Sequence, residues 1–394
     1  MWPARTISFV NAAVLASCGR VFGSIRIRGC TIDSLGGAPE RRDVVIDLDG
    51  AVVLPGMINA HDHLELNSFG RLKWRDRYAN VREWIADFQP RFASDPALAT
   101  ATRDTLDDRL RVGVLKNVLC GVTTVCHHNP LHQSIRRGLP LRVVHKYRFS
   151  HSLGIDGDRL AKVHHQTPSN YPWIVHAAEG VDGDAAAEID RLDKLGCLTP
   201  NTVLVHGVAL SASLAARAIE RGASLVWCPT SNHYLFGATA DVRPFDDAGK
   251  LALGSDSRLS GEGDLLDEIR AAHATRQLSP RSLVRAVTDG AARILRLDGR
   301  GQLARGATAD LCVIRRLASD PATTVVMARR ADVRLTMVAG HPLVSDAQLA
   351  PVFDRVASCV PVIVDGTPKL LARPLAEQQF QRAIGEPGLE VTTC

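Results

Sequence analysis

The middle of this chain alternates between short apolar runs and longer amphipathic stretches, and this alternation constrains the fold more than any other feature. Such a pattern is typical of parallel strands separated by helices. The predicted helices are Ala79–Phe88, Ala97–Leu119, Ala185–Leu195, Ser213–Arg221, Leu265–Ala274 and Pro280–Leu295. Seven runs predict strands, namely Val52–Asn59, Val122–Cys126, Leu141–Tyr147, Trp173–His176, Thr202–His206, Ser224–Cys228 and Leu251–Gly254.

Both ends of the chain instead read as short strands joined by turns. We therefore predict an α/β fold, with a (β/α)8 barrel of the TIM type over residues 55–298. A small β-sandwich domain would be built from residues 1–54 and 299–394 together. Only seven barrel strands are clear, so one unit, the fourth, is expected to be abbreviated or distorted.

Composition narrows the class of protein. The 394 residues are 45% hydrophobic and 23% charged, which excludes a disordered or collagen-like chain. Basic residues exceed acidic ones only by 47 to 42 and are spread along the chain, and aromatic residues make up 5%, so no nucleic-acid partner is expected. No run of about 18 apolar residues occurs, so no membrane partner is expected either.

Cysteine usage indicates the compartment. The nine cysteines are an odd number and include no C-x-x-C pair, which favours free thiols over a disulfide framework or a zinc ribbon. We therefore expect a cytoplasmic protein.

Four of the predicted strands end in side chains that bind metals. His61 and His63 are two residues apart after an apolar run, and residues at that spacing point to one face of an extended chain. His176, His206 and Asp256 each follow a further strand. Buried polar groups are costly unless they are paired or ligated, and strand ends meet at one face of a barrel. One shared metal site explains the set better than separate hydrogen bonds in the core.

The order of these motifs resembles the amidohydrolase superfamily. The segments are LPGMINAHDHLELN, WIVHAAEG, VLVHG and LGSDSRLSGEGDLLDEIRAA, with WCPTSNHYLFG, GVTTV and GRGQLARGATADLCVI around them. They are most similar to the aminohydrolase branch, which holds guanine deaminase, S-adenosylhomocysteine deaminase and the triazine hydrolases. The resemblance runs from about residue 5 to about residue 342.

The resemblance implies a hydrolase of carbon–nitrogen bonds other than peptide bonds. His61, His63, His176 and Asp256 would bind one divalent metal, which we expect to be zinc, with iron or manganese as alternatives. The substrate would be a small molecule, an aminated nitrogen heterocycle such as a purine, pterin or triazine. The resemblance also implies a homo-oligomer, a dimer or larger.

Three residues would carry the chemistry by the same resemblance. A water activated at the metal would attack the ring carbon that bears the amino group, and ammonia would leave. Glu179 would carry protons to the ring nitrogen and to the leaving group, and His206 would hydrogen-bond the attacking oxygen. Asp256 would help to take the proton from water.

Five further residues are candidate substrate contacts. His128 follows the second predicted strand, and Asn232 and His233 lie in the CPTSNH segment. Arg258 comes two residues after the metal aspartate, and Arg75 lies in an arginine-rich stretch after the first strand, so either could bind a carboxylate or phosphate. The alternative for these residues is an ordinary polar loop or charged surface.

Two other functions remain open from the sequence. Lys146 lies near the end of a predicted strand, where binuclear amidohydrolases have a carbamylated lysine that bridges two metals. That arrangement would mean cleavage of a cyclic amide, with no deamination. A non-catalytic, metal-binding scaffold on the same fold is the third possibility.

Overall fold

The computed structural model describes residues 5–16, 19–92, 94–136, 139–354, 358–377 and 385–391. None of the helices in these ranges combines the length and the apolar character that crossing a bilayer requires. The α-helices are α1 Val81–Arg91, α2 Pro96–Thr102, α3 Leu106–Leu119, α4 Gln133–Arg136, α5 Leu153–Asp156, α6 Leu160–His165, α7 Gly183–Lys194, α8 Ala212–Glu220, α9 Pro229–Phe236, α10 Arg243–Asp247, α11 Leu265–Ala274, α12 Pro280–Ala286, α13 Asp289–Ile294, α14 Pro321–Met327 and α15 Arg373–Ala376. Short 3-10 helices occupy Leu64–Leu66, Gly157–Arg159, Arg330–Asp332 and Ala347–Val352.

Strands form the frame on which these helices pack. They are β1 Thr6–Val10, β2 Ala13–Leu15, β3 Val21–Phe22, β4 Ile25–Arg28, β5 Thr31–Leu35, β6 Val44–Asp47, β7 Val52–Pro55, β8 Met57–Asp62, β9 Val122–His127, β10 Arg142–Val143, β11 Arg148–Ser150, β12 Trp173–Ala177, β13 Thr202–His206, β14 Ser224–Trp227, β15 Leu251–Leu253, β16 Leu311–Ile314, β17 Val333–Val338, β18 His341–Asp346, β19 Cys359–Val364, β20 Thr367–Ala372 and β21 Leu389–Val391.

Eight parallel strands, β8 to β15, form the barrel. They lie in two hydrogen-bonded sheets, β10-β9-β8 and β11-β12-β13-β14-β15. Every pairing in both sheets is parallel, and helices between most successive strands cover the outside. Strands β8, β9, β13 and β14 are buried along their whole length, as expected for a sheet covered on both faces. The predicted TIM-type α/β fold is confirmed.

The structure corrects two of the predicted strands. Val52–Asn59 is two strands, because the chain passes from β7 to β8 at Gly56. Leu141–Tyr147 also divides, since β10 pairs with β9 whereas the following β11 pairs with β12. The barrel therefore has eight strands where the sequence indicated seven. The abbreviated unit is real but lies between β10 and β11, which are joined by four residues and no helix.

Strands from both ends of the chain pair with one another beside the barrel. The nine-stranded sheet has the order β21-β19-β20-β18-β17-β16-β7-β2-β3, so β7 from the first part pairs directly with β16 from the last. A second sheet has the order β5-β4-β1-β6. The nine-stranded sheet contacts the barrel helix α3. The hydroxyl of Thr336 in β17 donates a hydrogen bond to the Val118 carbonyl over 2.9 Å.

Helix α3 reaches the barrel end through a close backbone contact. A Cβ at Gly113 would lie 2.4 Å from the carbonyl oxygen of Leu64 and 2.8 Å from its Cα. No side chain fits there without movement of the backbone. Glycine therefore lets α3 pack against the turn that follows His61 and His63, and this contact fixes the position of the turn.

We predict that Gly113→Ala lowers the free energy of unfolding by about 1–3 kcal/mol, because the added methyl overpacks a rigid backbone contact. Urea denaturation measures the change. Gly183→Ala is the matched control, since Gly183 begins α7 and a Cβ there has nothing within 4 Å. Equal stability of the two variants would contradict the prediction.

Candidate metal centre

Three imidazoles from β8 and β12 converge at one end of the barrel. The Nε2 atoms of His61 and His176 are 3.3 Å apart, and His61 is fully buried. His176 Nδ1 donates to the carbonyl of His151 over 2.8 Å, so its Nε2 carries a lone pair. Burial, followed by the neighbouring histidines, lowers the pKa of His61 well below its ordinary value. The lowered pKa of His61 favours the neutral imidazole, which is the form that binds metals.

Asp256 completes this cluster from the end of β15. Its Oδ1 lies 3.9 Å from His61 Nε2 and 3.7 Å from His63 Nε2. The backbone N–H of Ser257 donates to Oδ1 over 2.7 Å, and the Ser260 hydroxyl donates to Oδ2 over 2.9 Å. These donors fix the carboxylate while leaving Oδ1 directed at the imidazoles.

The cluster fits a divalent cation. Ligand atoms of His61, His63 and Asp256 lie within 4.8 Å of one another. Three nitrogen donors and one carboxylate oxygen are a ligand set that zinc takes in catalytic sites. The Nε2 atoms of His61 and His176 lie 3.3 Å apart, and that of His176 carries a lone pair and no proton. A cation that contacts both nitrogens would stabilise this arrangement. The donor chemistry therefore matches the metal that the sequence predicts.

Glu179 and His206 form a second pair beside the cluster. Glu179 Oε1 lies 3.5 Å from His206 Nε2, and both side chains are buried. Burial, with Asp256 and Glu188 as further causes, raises the pKa of Glu179 well above its ordinary value. His206 Nδ1 donates to Asn232 Oδ1 over 2.9 Å, so the lone pair of His206 is on Nε2. A carboxyl whose pKa is raised and an imidazole nitrogen that can accept a proton thus face each other.

The backbone is strained at two of these positions. His206 has a φ of 75° and Asp256 a φ of 52°, both in the left-handed region that non-glycine residues rarely adopt. Strain of this kind clusters at functional sites, where the surrounding structure holds it. Beside Asp256, a Cβ at Gly254 would lie 2.6 Å from the Cβ of His61, so glycine is needed where the ends of β15 and β8 meet.

A buried ion pair lies behind the metal cluster. Lys116 in α3 is fully buried, and its Nζ lies 3.3 Å from Asp62, the residue between the two metal histidines. The same Nζ donates to the Asp256 carbonyl over 2.9 Å and to Asn67 Oδ1 over 2.7 Å. Asp62 also accepts bonds from the amide groups of Asn59, Asn67 and Asn117. Lys116 therefore ties the ends of β8 and β15 together.

One cavity of about 270 Å³ opens onto the cluster. His63, His176, Glu179, His206 and Asp256 line one part of it. The rest of the lining is mostly apolar and includes aromatic rings from α1. The polar residues come from loops that follow the barrel strands, except for Gln89 of α1. The apolar residues are Leu66, Val81, Trp84, Ile85, Phe88, Ile155, Leu235 and Leu259, and the polar ones Gln89, Asn129, His151, Ser152, Ser257 and Ser260.

Two of the predicted substrate contacts lie behind the lining. His128 is buried, donates from Nε2 to the Ser150 carbonyl over 3.1 Å, and packs with its ring 4.3 Å from that of His176. Asn232 is also fully buried, and it orients His206. Both act on residues of the site, and neither lines the cavity.

The other three predicted contacts point elsewhere. Arg75 pairs with Asp87 over 2.7 Å at the surface, and Arg258 pairs with Glu386 through two bonds of 2.5 and 2.7 Å. His233 is exposed. The cavity lining contains none of them. The sequence indicates that these residues lie close to the site. It does not show that Arg75 and Arg258 each form an ion pair with a carboxylate.

Lys146 is remote from the candidate ligands. It is exposed, and it lines a separate cavity together with Asn170 and Tyr171, which precede β12. No candidate metal ligand lines that cavity. The reason is the break between β10 and β11, which leaves Lys146 in their connection and not at a strand end. The interpretation of Lys146 as a bridging ligand is contradicted by this placement.

Sequence reasoning missed three features of the site. Trp84 and Phe88 form one wall of the cavity, with ring centroids 5.1 Å apart, and His151 lines it at the end of β11. The Lys116–Asp62 pair was also missed. A signal for it existed, because Lys116 interrupts the apolar run of a buried helix and Asp62 separates two candidate ligands.

Comparison with known proteins agrees with this site. Residues 160–343 match the amidohydrolase family. The chain is 28% identical over 376 residues to a 5-methylthioadenosine/S-adenosylhomocysteine deaminase from Halobacterium salinarum, covering 80% of this chain and 86% of that protein. The chain therefore resembles the amidohydrolase family and is similar to deaminases of its aminohydrolase branch. It is a hydrolase of carbon–nitrogen bonds other than peptide bonds, and the cluster of histidines and Asp256 agrees with a metal-dependent reaction.

Solved structures share the fold. A triazine hydrolase from Arthrobacter aurescens superposes with a TM-score of 0.73 at 19% identity, covering 89% of this chain and 97% of that one. An adenosine deaminase from Xanthomonas campestris with bound zinc gives a TM-score of 0.69 at 18% identity, covering 86% and 92%. These similarities show a common architecture over nearly the whole chain.

We predict that Lys116→Met weakens metal binding by about 10–100-fold, the loss typical when a group that orients metal ligands is removed. Competition with a chelator measures the dissociation constant on protein that circular dichroism shows to be folded. Lys116→Arg keeps the charge and should lose less affinity.

Lys369→Met is the matched control for this test. Lys369 is equally buried and pairs with Asp346 over 2.5 Å, but it lies in β20 of the nine-stranded sheet. Both Met variants should lose stability, because each removes the lysine from a buried ion pair, although Asp346 keeps Arg334 as a second partner over 3.1 Å. Only Lys116→Met should lose metal affinity, and unchanged affinity in that variant would refute a positioning role.

Proposed function

We propose that this chain is a metal-dependent deaminase that hydrolyses the exocyclic carbon–nitrogen bond of an aminated nitrogen heterocycle and releases ammonia. The observation that carries the proposal is the buried Glu179 carboxyl, which lies 3.5 Å from His206 Nε2 beside the metal-type cluster and whose pKa is raised by burial. Attack by water on an amino-substituted ring needs a group that gives a proton to the ring nitrogen. A neutral carboxyl at the cavity wall can do so.

Relatives support the reaction class. The similar protein from Halobacterium salinarum is named as a deaminase of two adenine nucleosides, and the chain spans 86% of its length. The fold neighbour from Xanthomonas campestris is named as an adenosine deaminase with bound zinc. An amino group on a purine-type ring is the functional group these names have in common.

We assign the metal to His61, His63, His176 and Asp256, with one divalent ion per chain and zinc as the first candidate. Zinc bound at such a ligand set activates water near neutral pH and polarises the group under attack. Asp256 has a second role in the proposal, because its Oδ1 faces the space where water would bind and can accept a proton from it.

The remaining residues handle protons and orientation. Water adds to the ring carbon that bears the amino group, the proton of Glu179 passes to the ring nitrogen, and the bond to the amino group then breaks. The proton that water loses on attack goes to the departing nitrogen, and the proton of the hydroxyl left on the ring carbon returns to Glu179. Ammonia then leaves, a ring carbonyl remains and the Glu179 carboxyl is restored. His206 accepts a hydrogen bond at Nε2 from the attacking water, since Asn232 holds its proton on Nδ1.

The two alternative functions lose their support. A binuclear site with Lys146 requires that lysine beside the histidines, and it is exposed in a separate cavity. A non-catalytic scaffold would not need the Glu179 carboxyl, with its raised pKa, buried beside an accepting His206. Similarity to the amidohydrolase family also favours an enzyme.

The compartment and the assembly stay predictions. We infer a cytoplasmic protein, since the buried thiols of Cys120, Cys126 and Cys228 are reduced and burial raises the pKa of each, as expected of unreactive core cysteines. A homo-oligomer is expected from the resemblance, and light scattering after size-exclusion chromatography would measure it.

We predict that Glu179→Gln keeps the bound metal but lowers kcat by about 10²–10⁴-fold, because the amide cannot transfer a proton. Metal content by elemental analysis and ammonia release give the two readouts. Glu220→Gln, at an exposed position at the end of α8, is the control and should match the unmodified enzyme. A Glu179→Gln enzyme with full turnover would refute the assignment of the proton donor.

We predict about one equivalent of metal per chain after purification without added metal, because we assign a single ion to His61, His63, His176 and Asp256. Elemental analysis measures it. About two equivalents would contradict the mononuclear assignment. Absence of metal even after reconstitution with zinc would refute the proposed reaction as a whole.

A further inference from the structure

The cavity at the metal centre has two chemically different parts. One part holds the ionisable groups, among them Glu179, Asp256 and His206. The other is formed by aliphatic and aromatic side chains, including Trp84 and Phe88, whose rings stack at 17°. A substrate that places its amino-bearing ring at the first part must therefore place its substituent against the second.

No lysine or arginine lines this cavity among the residues that the structure describes. The arginines on neighbouring segments already have partners. Arg71 donates to the Gly261 carbonyl over 2.7 Å, Arg75 pairs with Asp87, and Arg258 pairs with Glu386. An anionic substituent would therefore enter a site without a cation to bind it.

Solvation acts in the same direction. An anion that leaves water without gaining a partner loses its hydration, which is costly. An apolar substituent instead gains from contact with the aromatic wall.

We propose that the substrate is a neutral aminated heterocycle or nucleoside that carries a small, uncharged, apolar substituent, and that the wall of Trp84, Phe88 and Ile155 selects it. This inference rests on the proposed deaminase function and specifies its substrate class. The cavity volume of about 270 Å³ agrees, since it lies at the low end of the roughly 300–1,000 Å³ typical of ligand pockets.

The test compares two substrates that share every atom around the reacting ring. 5′-Methylthioadenosine ends in a methyl thioether, whereas S-adenosylhomocysteine extends the same sulfur with an ammonium and a carboxylate. We expect kcat/KM for ammonia release to be at least about 100-fold higher for the first, equivalent to about 2.7 kcal/mol. A second pair, 2-aminopurine riboside with and without a 5′-phosphate, tests whether a charged substituent has the same effect on a substrate with a different ring.

Variants at Ile155 test the wall directly. Ile155 lines the cavity and is 46% exposed, so a longer side chain has room there. Ile155→Arg adds a cation and should raise the relative kcat/KM for the charged member of each pair at least about 10-fold. Ile155→Gln is the matched control, similarly polar but uncharged, and should leave that ratio near its original value.

The outcomes separate the two proposals. The inference is supported if kcat/KM is higher for the neutral member of both pairs and if Ile155→Arg, but not Ile155→Gln, raises the relative kcat/KM of the charged member. Equal or faster release from the charged members overturns it and leaves the deaminase function standing. Absence of ammonia from all four compounds, with zinc-loaded enzyme, overturns the proposed function together with the inference.

Discussion

The buried ion pair between Lys116 and Asp62 is the interaction on which the site depends. Lys116 donates hydrogen bonds both to Asp62, which separates His61 from His63, and to the backbone carbonyl of Asp256. Two charges this deep are stable only if their remaining bonding groups are satisfied, and asparagine amides do this for Asp62. Helix α3 can supply the lysine because Gly113 lets it approach the turn after β8. The ligands are thus fixed by contacts outside the cluster.

Much of the fold was predictable, because periodicity and strand ends follow directly from local sequence. β13 and the predicted strand Thr202–His206 have the same bounds, and the histidine motifs lie at the barrel end that holds active sites in this architecture. The proximity of His61, His63, His176, His206 and Asp256 followed from the same rule, whereas the choice of four metal ligands among them came from the family resemblance. A short strand such as β10, with two residues, carries too little pattern to be separated from β11.

The substrate contacts were not predictable, since they depend on which partner each side chain finds in space. Arg258 is two residues from Asp256, but its carboxylate partner, Glu386, is 128 residues further along the chain. The structure does not support Lys146 as a bridging metal ligand, and the reason is topological. The predicted strand Leu141–Tyr147 ends early, so Lys146 lies in the connection between β10 and β11 and not at a strand end. Trp84 and Phe88 were visible as aromatic residues of a helix, but only the fold turns that helix toward the metal centre.

The separation of the barrel into two sheets gives the metal centre a mechanical importance. His61 lies in β8 of the three-stranded sheet and His63 directly follows that strand, whereas His176 comes from β12 in the five-stranded sheet and Asp256 follows its last strand. A bound ion would therefore cross-link the two sheets where backbone ladders do not join them. Because the ligands converge only in the closed barrel, the free energy of binding adds to that of folding. Occupancy and thermal resistance are then coupled, so scarcity of metal would lower the lifetime of the protein as well as its turnover.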